Sequence, residues 1–369
     1  MSKKKLAMVF PYAPSYRDAI YRLMDETWDI DWYFAENCDP HLKLFDYSVL
    51  KNVDLSLKEN RIGPFSTLKG VGSIDFDKYE AVVIPGVFRC LSDLIMMLHH
   101  PRRKRSRLYL WTHGWYGKET RFEKAIKKFF YPRVDGIFLY GNRAKQLMID
   151  EGFDPKKLHV IHNSLDYDKQ LMLRKSIKSS DVYTSHFKNT DKVLIFIGRL
   201  TAVKRFELLL DAMYELKKRG ENYNLIFVGE GDERSNLEQS IKEKGLESRV
   251  WFYGKCFDET RNAELIYNAD LCVSPGNVGL TAIHSLMFGC PVISNDDFRT
   301  QMPEFEAIEP GKTGDFFHAY DASDLAERIS RWFNESGNKR EQIRTACFQT
   351  IDNSWNPEFQ IDVLKRVLG

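Results

Sequence analysis

The sequence predicts a two-domain α/β protein, each domain a parallel β-sheet covered by helices on both faces. Three observations predict it. The chain has 369 residues, more than a single core ordinarily serves. Short, uninterrupted apolar runs alternate with segments of helical period, and an uninterrupted apolar run marks a strand buried on both faces. The alternation stops over a polar, Lys- and Ser-rich stretch, residues 166–190, and then restarts.

In the first half, residues 6–10, 30–34, 81–84, 108–111, 136–140 and 159–161 read as strands, with a helix over 16–27 and another between the last two strands. In the second half the strands are 192–197, 224–228, 250–253, 271–273 and 291–293. Helices follow at 203–219, 233–244, 281–288, 321–334 and 338–350, and residues 357–368 form a last one. These elements place a first domain at 1–165, a linker at 166–190 and a second domain at 191–353. Residues 354–369 are a C-terminal helix expected to return to the first domain.

Composition excludes several function classes. The six cysteines are scattered with no Cys-x-x-Cys pair, which argues against a zinc site or a disulfide framework and fits a reducing, cytoplasmic setting. No apolar stretch approaches the ~20 residues of a membrane span. The run after the basic first five residues is too short for a signal-peptide core. The net charge of +2 hides an asymmetry: residues 101–145 gather Arg102, Arg103, Lys104, Arg105, Arg107, Lys118, Arg121, Lys124, Lys127, Lys128, Arg133, Arg143 and Lys145. Such a basic face calls for an anionic partner.

Ligands of such sheets bind beyond the carboxyl ends of the strands. Gly198 follows the first strand of the second domain, with the cations Arg199 and Lys204 close behind at a strand–helix junction, a pairing suited to a diphosphate. Gly229, Glu230 and Gly231 follow the next strand and allow close backbone approach. Gly276, Asn277, Val278, Gly279 and Leu280 then lead into an apolar helix, whose N-terminus favours anions. Surface charges and ordinary turns would account for each piece alone.

Taken in order, these pieces resemble a family. Gly198-Arg199 with Lys204, Val228-Gly229-Glu230-Gly231, Trp251 to Gly254, Asp270 to Pro275 and Gly279 to Pro291 look like the C-terminal domain of family 4 retaining glycosyltransferases of GT-B architecture. His162-Asn163-Ser164-Leu165-Asp166 resembles that family's entry to the linker. The resemblance implies two Rossmann-like domains with parallel sheets facing a central cleft. It implies a donor of UDP or GDP type, a nucleoside-diphosphate sugar, with no metal and no other cofactor. Arg199 and Lys204 would hold the diphosphate, and the backbone of Val278, Gly279 and Leu280 would add N–H donors. Lys255 would border the base. His113, at the end of a first-domain strand, would lie near the donor sugar. Tyr12, Ser15, Tyr16 and Arg17 would meet the acceptor, a glycan or lipid-linked saccharide of the kind used in surface polysaccharide or glycoconjugate synthesis.

One departure stands out. The family carries Glu-x7-Glu across the last loop and helix, and the equivalent positions are Gly276 and His284. A neutral imidazole accepts or donates one hydrogen bond, so His284 can stand in for part of a carboxylate's work. Asn277 is a second substitute, and Asp296, Asp297 and Glu304 are alternative carboxylates. A separate feature is the segment 121–130, with Phe122, Ile126, Phe129 and Phe130 on one helical face and lysines on the other. It suits either an anionic membrane surface or packing on the sheet with a solvated basic back, and the run 101–107 suits lipid head groups. Nucleic acid is not expected, because no recognised binding module occurs. The expectation is a retaining hexosyltransferase, cytoplasmic or peripheral at the inner face of the cell membrane. Its rivals are a sugar-nucleotide epimerase of similar architecture and a catalytically silent binding subunit.

Overall fold

A computed structural model describes residues 3–35, 45–100, 106–337 and 339–369. The basic run 101–105 and Cys38 lie outside the described residues. The chain divides into two compact units, Met1–Asp166 with Asn356–Gly369, and Tyr167–Trp355.

The first unit contains β1 (Lys5–Phe10), α1 (Asp18–Thr27), β2 (Asp29–Ala35), β3 (Asn52–Ile62), β4 (Phe65–Lys69), β5 (Ala81–Ile84), α2 (Leu91–His99), β6 (Arg107–Thr112), α3 (Arg121–Phe130), β7 (Gly136–Leu139), α4 (Asn142–Asp150) and β8 (Leu158–Val160). The sheet order is β4-β3-β2-β1-β5-β6-β7-β8. All neighbours are parallel except the β3–β4 hairpin at the edge. β1 is central because Leu6, Ala7 and Met8 can be fully enclosed at no polar cost. The hairpin was not expected from the sequence. β3 lies beside the edge strand β4, carries Asp54, Lys58, Glu59 and Arg61 and has only Leu57 buried, so it lacks an apolar run. On one face of the sheet Tyr21, Trp32 and Phe34 pack as an aromatic cluster, with Tyr21 and Trp32 centroids 4.8 Å apart. The buried Asp25 accepts the Trp32 indole N–H at 2.9 Å, so neither polar group is stranded.

The second unit begins inside the expected linker. Residues 166–190 hold no strand, but they fold as α5 (Tyr167–Ser176) and α6 (Val182–Phe187) of this unit. α5 has little amphipathic pattern, and polar bonds fix it instead: Arg174 Nη2 donates to both Asp352 oxygens at 2.9 Å. The unit continues with β9 (Val193–Ile197), α7 (Phe206–Lys218), β10 (Asn224–Val228), α8 (Arg234–Glu243), β11 (Val250–Gly254), α9 (Glu259–Asn268), β12 (Leu271–Ser274), α10 (Leu280–Met287), β13 (Val292–Asn295), β14 (Gly314–Phe317), α11 (Ala322–Ser336) and α12 (Arg340–Ser354). Its all-parallel order is β11-β10-β9-β12-β13-β14. The chain runs outward from β9 to β11, then returns to the other side of β9 as β12. That reversal opens a crevice at the carboxyl ends of β9 and β12. β14 was also missed by the sequence reading, because it has four residues and begins with Gly314 and Asp315.

The last helix, α13 (Pro357–Leu368), belongs to the first unit. Asn356 caps it by accepting the Phe359 N–H at 2.8 Å, and Pro357 needs no partner in the first turn. Gln360 is buried, donating to His162 O at 3.0 Å and accepting from Ser164 Oγ at 2.6 Å. Ile361, Leu364 and Leu368 join the aromatic core. Leu364→Ala is expected to destabilise the protein by about 2–5 kcal/mol in urea unfolding; a loss under ~0.5 kcal/mol would show that α13 is only loosely attached.

Candidate active site

Three loops meet at the crevice of the second unit, those following β9, β10 and β12. Glycines let their backbones touch. Gly198 N–H donates to Val228 O at 2.9 Å and Leu200 N–H to Glu230 O at 2.9 Å. A Cβ on Gly229, whose φ is +149°, would lie 1.9 Å from Gly198 O. A Cβ on Gly276 would lie 2.0 Å from Val203 O and 2.6 Å from Lys204 Cα. Gly276 N–H instead donates to Lys204 O at 2.7 Å, seaming the β9 and β12 loops together. Arg205, a non-glycine residue at φ +53°, turns the chain from this seam into α7. Local strain of this kind commonly sits beside functional residues.

The seam fixes Lys204. Its ammonium donates to Asn277 O at 2.7 Å while the side chain is partly buried. Burial pulls its pKa down to about 8; the Glu304 carboxylate opposes that shift and the Arg199 cation reinforces it. Arg199 itself is exposed. Asn277 Oδ1 is sealed from solvent with no hydrogen-bond partner among the described residues. α10 starts at Gly279 without a side-chain cap, so its first-turn N–H groups, from Leu280 and Thr281, have no partner within the helix. Val278 differs from expectation. Its N–H is taken by the buried Gln301, which accepts it at 2.6 Å, so it holds the loop and is not open to a ligand. Thr281 Oγ1 donates to Ile197 O at 2.8 Å and ties the helix start to β9.

The carboxylates are distributed in a way the sequence did not disclose. Glu304 is 3% exposed, with Oε2 4.0 Å from where a Gly279 Cβ would sit. Asp296 is engaged by His318 Nδ1 and the Ala319 N–H, both at 2.9 Å, and Asp297 by Arg299 at 2.9 Å. His284 has a partner of its own: Nε2 lies 2.8 Å from Glu259 Oε1, which also accepts from Gln170 at 2.7 Å. Burial would push Glu259 up, but the His284 charge and the surrounding hydrogen bonds outweigh it and hold the carboxyl at about 2. Glu259 comes from α9, and no local motif marks it. Near the same strand ends, Glu230 accepts from Arg234 at 2.8 Å, and Lys255 lies 5.5 Å from the ring of Phe257, which is 77% exposed. Among the described residues, no three His, Cys, Asp or Glu side chains gather as metal ligands would.

Two expected residues lie in the first unit. His113 follows β6, its ring 4.8 Å from that of Tyr140 and 5.6 Å from that of Tyr116. Burial first, then the charges of Arg17 and Lys127, pull it down to about 4, so the imidazole is neutral at pH 7. Gly114 follows it at φ +70°, a left-handed conformation that residues with a side chain rarely adopt. Tyr16 lies in the turn after β1, with the Arg17 guanidinium 5.9 Å from its ring. A groove of about 430 Å³ lies at the ends of β1 and β5, lined by Tyr12, Arg61, Arg89 and Asp93 among others. α3 departs from both sequence expectations in one respect. Lys127 points inward, donating to Gly114 O at 2.8 Å and Glu119 at 3.2 Å, while Phe122 and Phe129 are 63% and 50% exposed. The Glu119 carboxylate draws the lysine in, because a buried cation needs a partner.

Residues 181–349 match the family Glycosyl transferases group 1. Over 152 residues the chain is 29% identical to an uncharacterized glycosyltransferase of Methanocaldococcus jannaschii, covering 40% of this chain and 36% of that relative's length. It is 22% identical over 285 residues to an uncharacterized 41.2 kDa protein in the cps region of Klebsiella pneumoniae, covering 76% and 68%. The structure of Anabaena Alr3699/HepE in complex with UDP superposes with a TM-score of 0.71 at 16% identity, covering 98% of this chain and 99% of that one. The fold is therefore GT-B, two parallel-sheet α/β domains.

Because Glu259 titrates below its ordinary 4.5, its contribution to stability is present above that pH and lost as pH falls towards 2. Glu259→Gln is expected to cost on the order of 2 kcal/mol at pH 7 and to flatten the fall in unfolding free energy between pH 4.5 and 2. Parallel curves for the two proteins would contradict the buried pair.

Proposed function

We propose that the chain is a retaining, metal-independent hexosyltransferase whose donor is a nucleoside-diphosphate sugar. The observation that carries this is Lys204, held at the seam beside Arg199 and the uncapped start of α10. Two cations and the first N–H groups of α10 would meet the diphosphate where its charge grows as it departs. The UDP bound to the Anabaena structure favours UDP over GDP. Lys255 and Phe257 would border the base, while Asn277 and Glu304 would read the sugar. The His284–Glu259 pair would take the place of the ribose-binding carboxylate. The bond from the sugar's anomeric carbon to the leaving phosphate breaks as the bond to the acceptor oxygen forms on the same face. The acceptor's proton passes to the departing phosphate. Acceptors would be saccharides or lipid-linked saccharides, in a surface-polysaccharide or glycoconjugate pathway.

A screen of UDP-, GDP- and dTDP-sugars by thermal shift and turnover tests this reading. Arg199→Ala is expected to lower kcat/KM by about 10²–10³ with the fold intact. If neither UDP nor GDP binds and Arg199→Ala changes nothing, the reading fails. Sugar released or epimerised without any acceptor would favour the epimerase instead. Lys204 is charged below about pH 8 and neutral above it, so affinity for UDP is expected to fall as pH rises through 8. A flat profile from pH 7 to 9.5 would remove Lys204 from the phosphate site.

The first unit would also touch an anionic membrane. Leu91, Ile95 and Leu98 share one face of α2 and are 42%, 56% and 43% exposed; α3 adds Phe122 and Phe129. Arg121 and Arg133 add positive charge at the two ends of α3, where Lys124 and Lys128 are ion-paired to Glu151. Exposed apolar residues beside cations are the pattern of an interfacial helix. No helix among the described residues is long and apolar enough to cross a membrane. Phe122→Asp with Phe129→Asp is expected to reduce co-sedimentation with phosphatidylglycerol-containing vesicles at least tenfold; unchanged binding would place the contact elsewhere.

A further inference from the structure

Arg17 is placed unusually for a cation. It follows the central strand β1 and its guanidinium is enclosed by aromatic rings. The centroids of Trp111, Tyr140, Tyr16 and Tyr21 lie 5.2, 5.6, 5.9 and 6.0 Å away. Nη1 donates to Tyr21 Oη at 3.0 Å and Nη2 to Tyr140 Oη. No carboxylate pairs with Arg17 among the described residues; the charged and polar groups that act on it most strongly are tyrosines. Arginine carries five N–H donors and cannot shed its charge, so an enclosed guanidinium without a counter-ion is costly.

Other polar atoms beside it are also left over. Arg17 Nε, Trp111 Nε1 and His113 Nδ1 are each sealed from solvent with no hydrogen-bond partner among the described residues. Trp111 is 3% exposed, and its indole N–H can only donate. The rings of Arg17's neighbour Tyr140 and of His113 are 4.8 Å apart, so the three groups share one wall of the first unit at the ends of β1, β6 and β7. Native structures rarely leave several buried polar atoms unpaired at one place unless something else supplies partners. Unpaired donors around an uncompensated cation call for a group that only accepts and is negatively charged.

We propose that Arg17, Trp111 and His113 form a binding site for an oxyanion carried by the acceptor, either a phosphate or a sugar carboxylate. The assignment to the acceptor rests on the transferase reading; the anion site itself does not. The guanidinium takes the charge, the indole N–H donates, and the neutral imidazole donates from Nδ1 in the tautomer that places its proton there. The acceptor class is then an anionic saccharide or a saccharide phosphate, and a neutral saccharide would leave these groups stranded.

The test is calorimetric titration of the full chain with inorganic phosphate and, separately, with glucuronate. Each titration is run with saturating UDP, so that the cations of the second unit are occupied, and again on Arg199→Ala without UDP. At least one anion is expected to bind in both backgrounds. Arg17→Gln should weaken it at least tenfold, and Trp111→Phe, which keeps the ring and removes only the N–H, severalfold. UDP affinity should be unchanged in both variants. Binding of phosphate alone would identify a phosphorylated acceptor, and binding of glucuronate alone a uronic acid. If neither anion binds while UDP does, the anion site is wrong and the donor reading stands. If an anion binds through Arg17 while neither UDP nor GDP binds, the reverse holds. Should Arg17→Gln not fold, Trp111→Phe decides alone: wild-type anion affinity in that variant overturns the proposal.

Discussion

The second unit depends on a backbone seam in which Gly276 N–H donates to Lys204 O at 2.7 Å. That contact leaves no room for a side chain at position 276, where a Cβ would fall 2.0 Å from Val203 O. The backbone of Val203 and Lys204 fills that space, and the same contact brings Asn277 O within reach of the Lys204 ammonium. The absence of a side chain at position 276 and the placement of Lys204 are thus two aspects of one contact. The topology supports it from below: β9 and β12 are neighbours at the point where strand order reverses, so their loops are free to meet.

Charge follows the same geometry. Burying Lys204 weakens its hold on its proton, while Glu304 limits the shift. Three carboxylates of the unit have side-chain partners within it: Glu259 with His284, Asp296 with His318, Asp297 with Arg299. Arg199 is left exposed beside Lys204. In the first unit the half-buried Arg17 stands among tyrosines and a tryptophan with no carboxylate partner among the described residues, whereas the buried Lys127 is matched by Glu119. The contrast is between a buried cation with a carboxylate partner and a half-buried one among aromatic rings.

Most parallel strands were legible because they are apolar runs with no competing period; β14 was not, because it is short and begins with Gly314 and Asp315. The glycines at 198, 229 and 276 were legible as breaks after strands, though not that two of them fill the space of a missing Cβ. β3 and β4 were hidden because an edge hairpin needs only Leu57 and Leu68 inside and can be charged elsewhere. α5 was hidden because ion pairs and a few buried groups hold it, not an apolar stripe. Glu259 could not be found, since it reaches His284 across 25 residues from a different helix. Val278 was misassigned because an N–H at a helix start looks open until its side-chain acceptor, Gln301, is placed. The inward turn of Lys127 follows from Glu119, eight residues earlier, which no helical periodicity connects to it.

A crystal structure of the protein with UDP tests the central claim most directly. The account predicts diphosphate oxygens within hydrogen-bond distance of Lys204 Nζ, the Arg199 guanidinium and the first N–H groups of α10. Val278 N–H should remain on Gln301. A diphosphate bound away from Lys204, or a β12–α10 loop that must leave the Gly276 seam to admit it, would contradict the account.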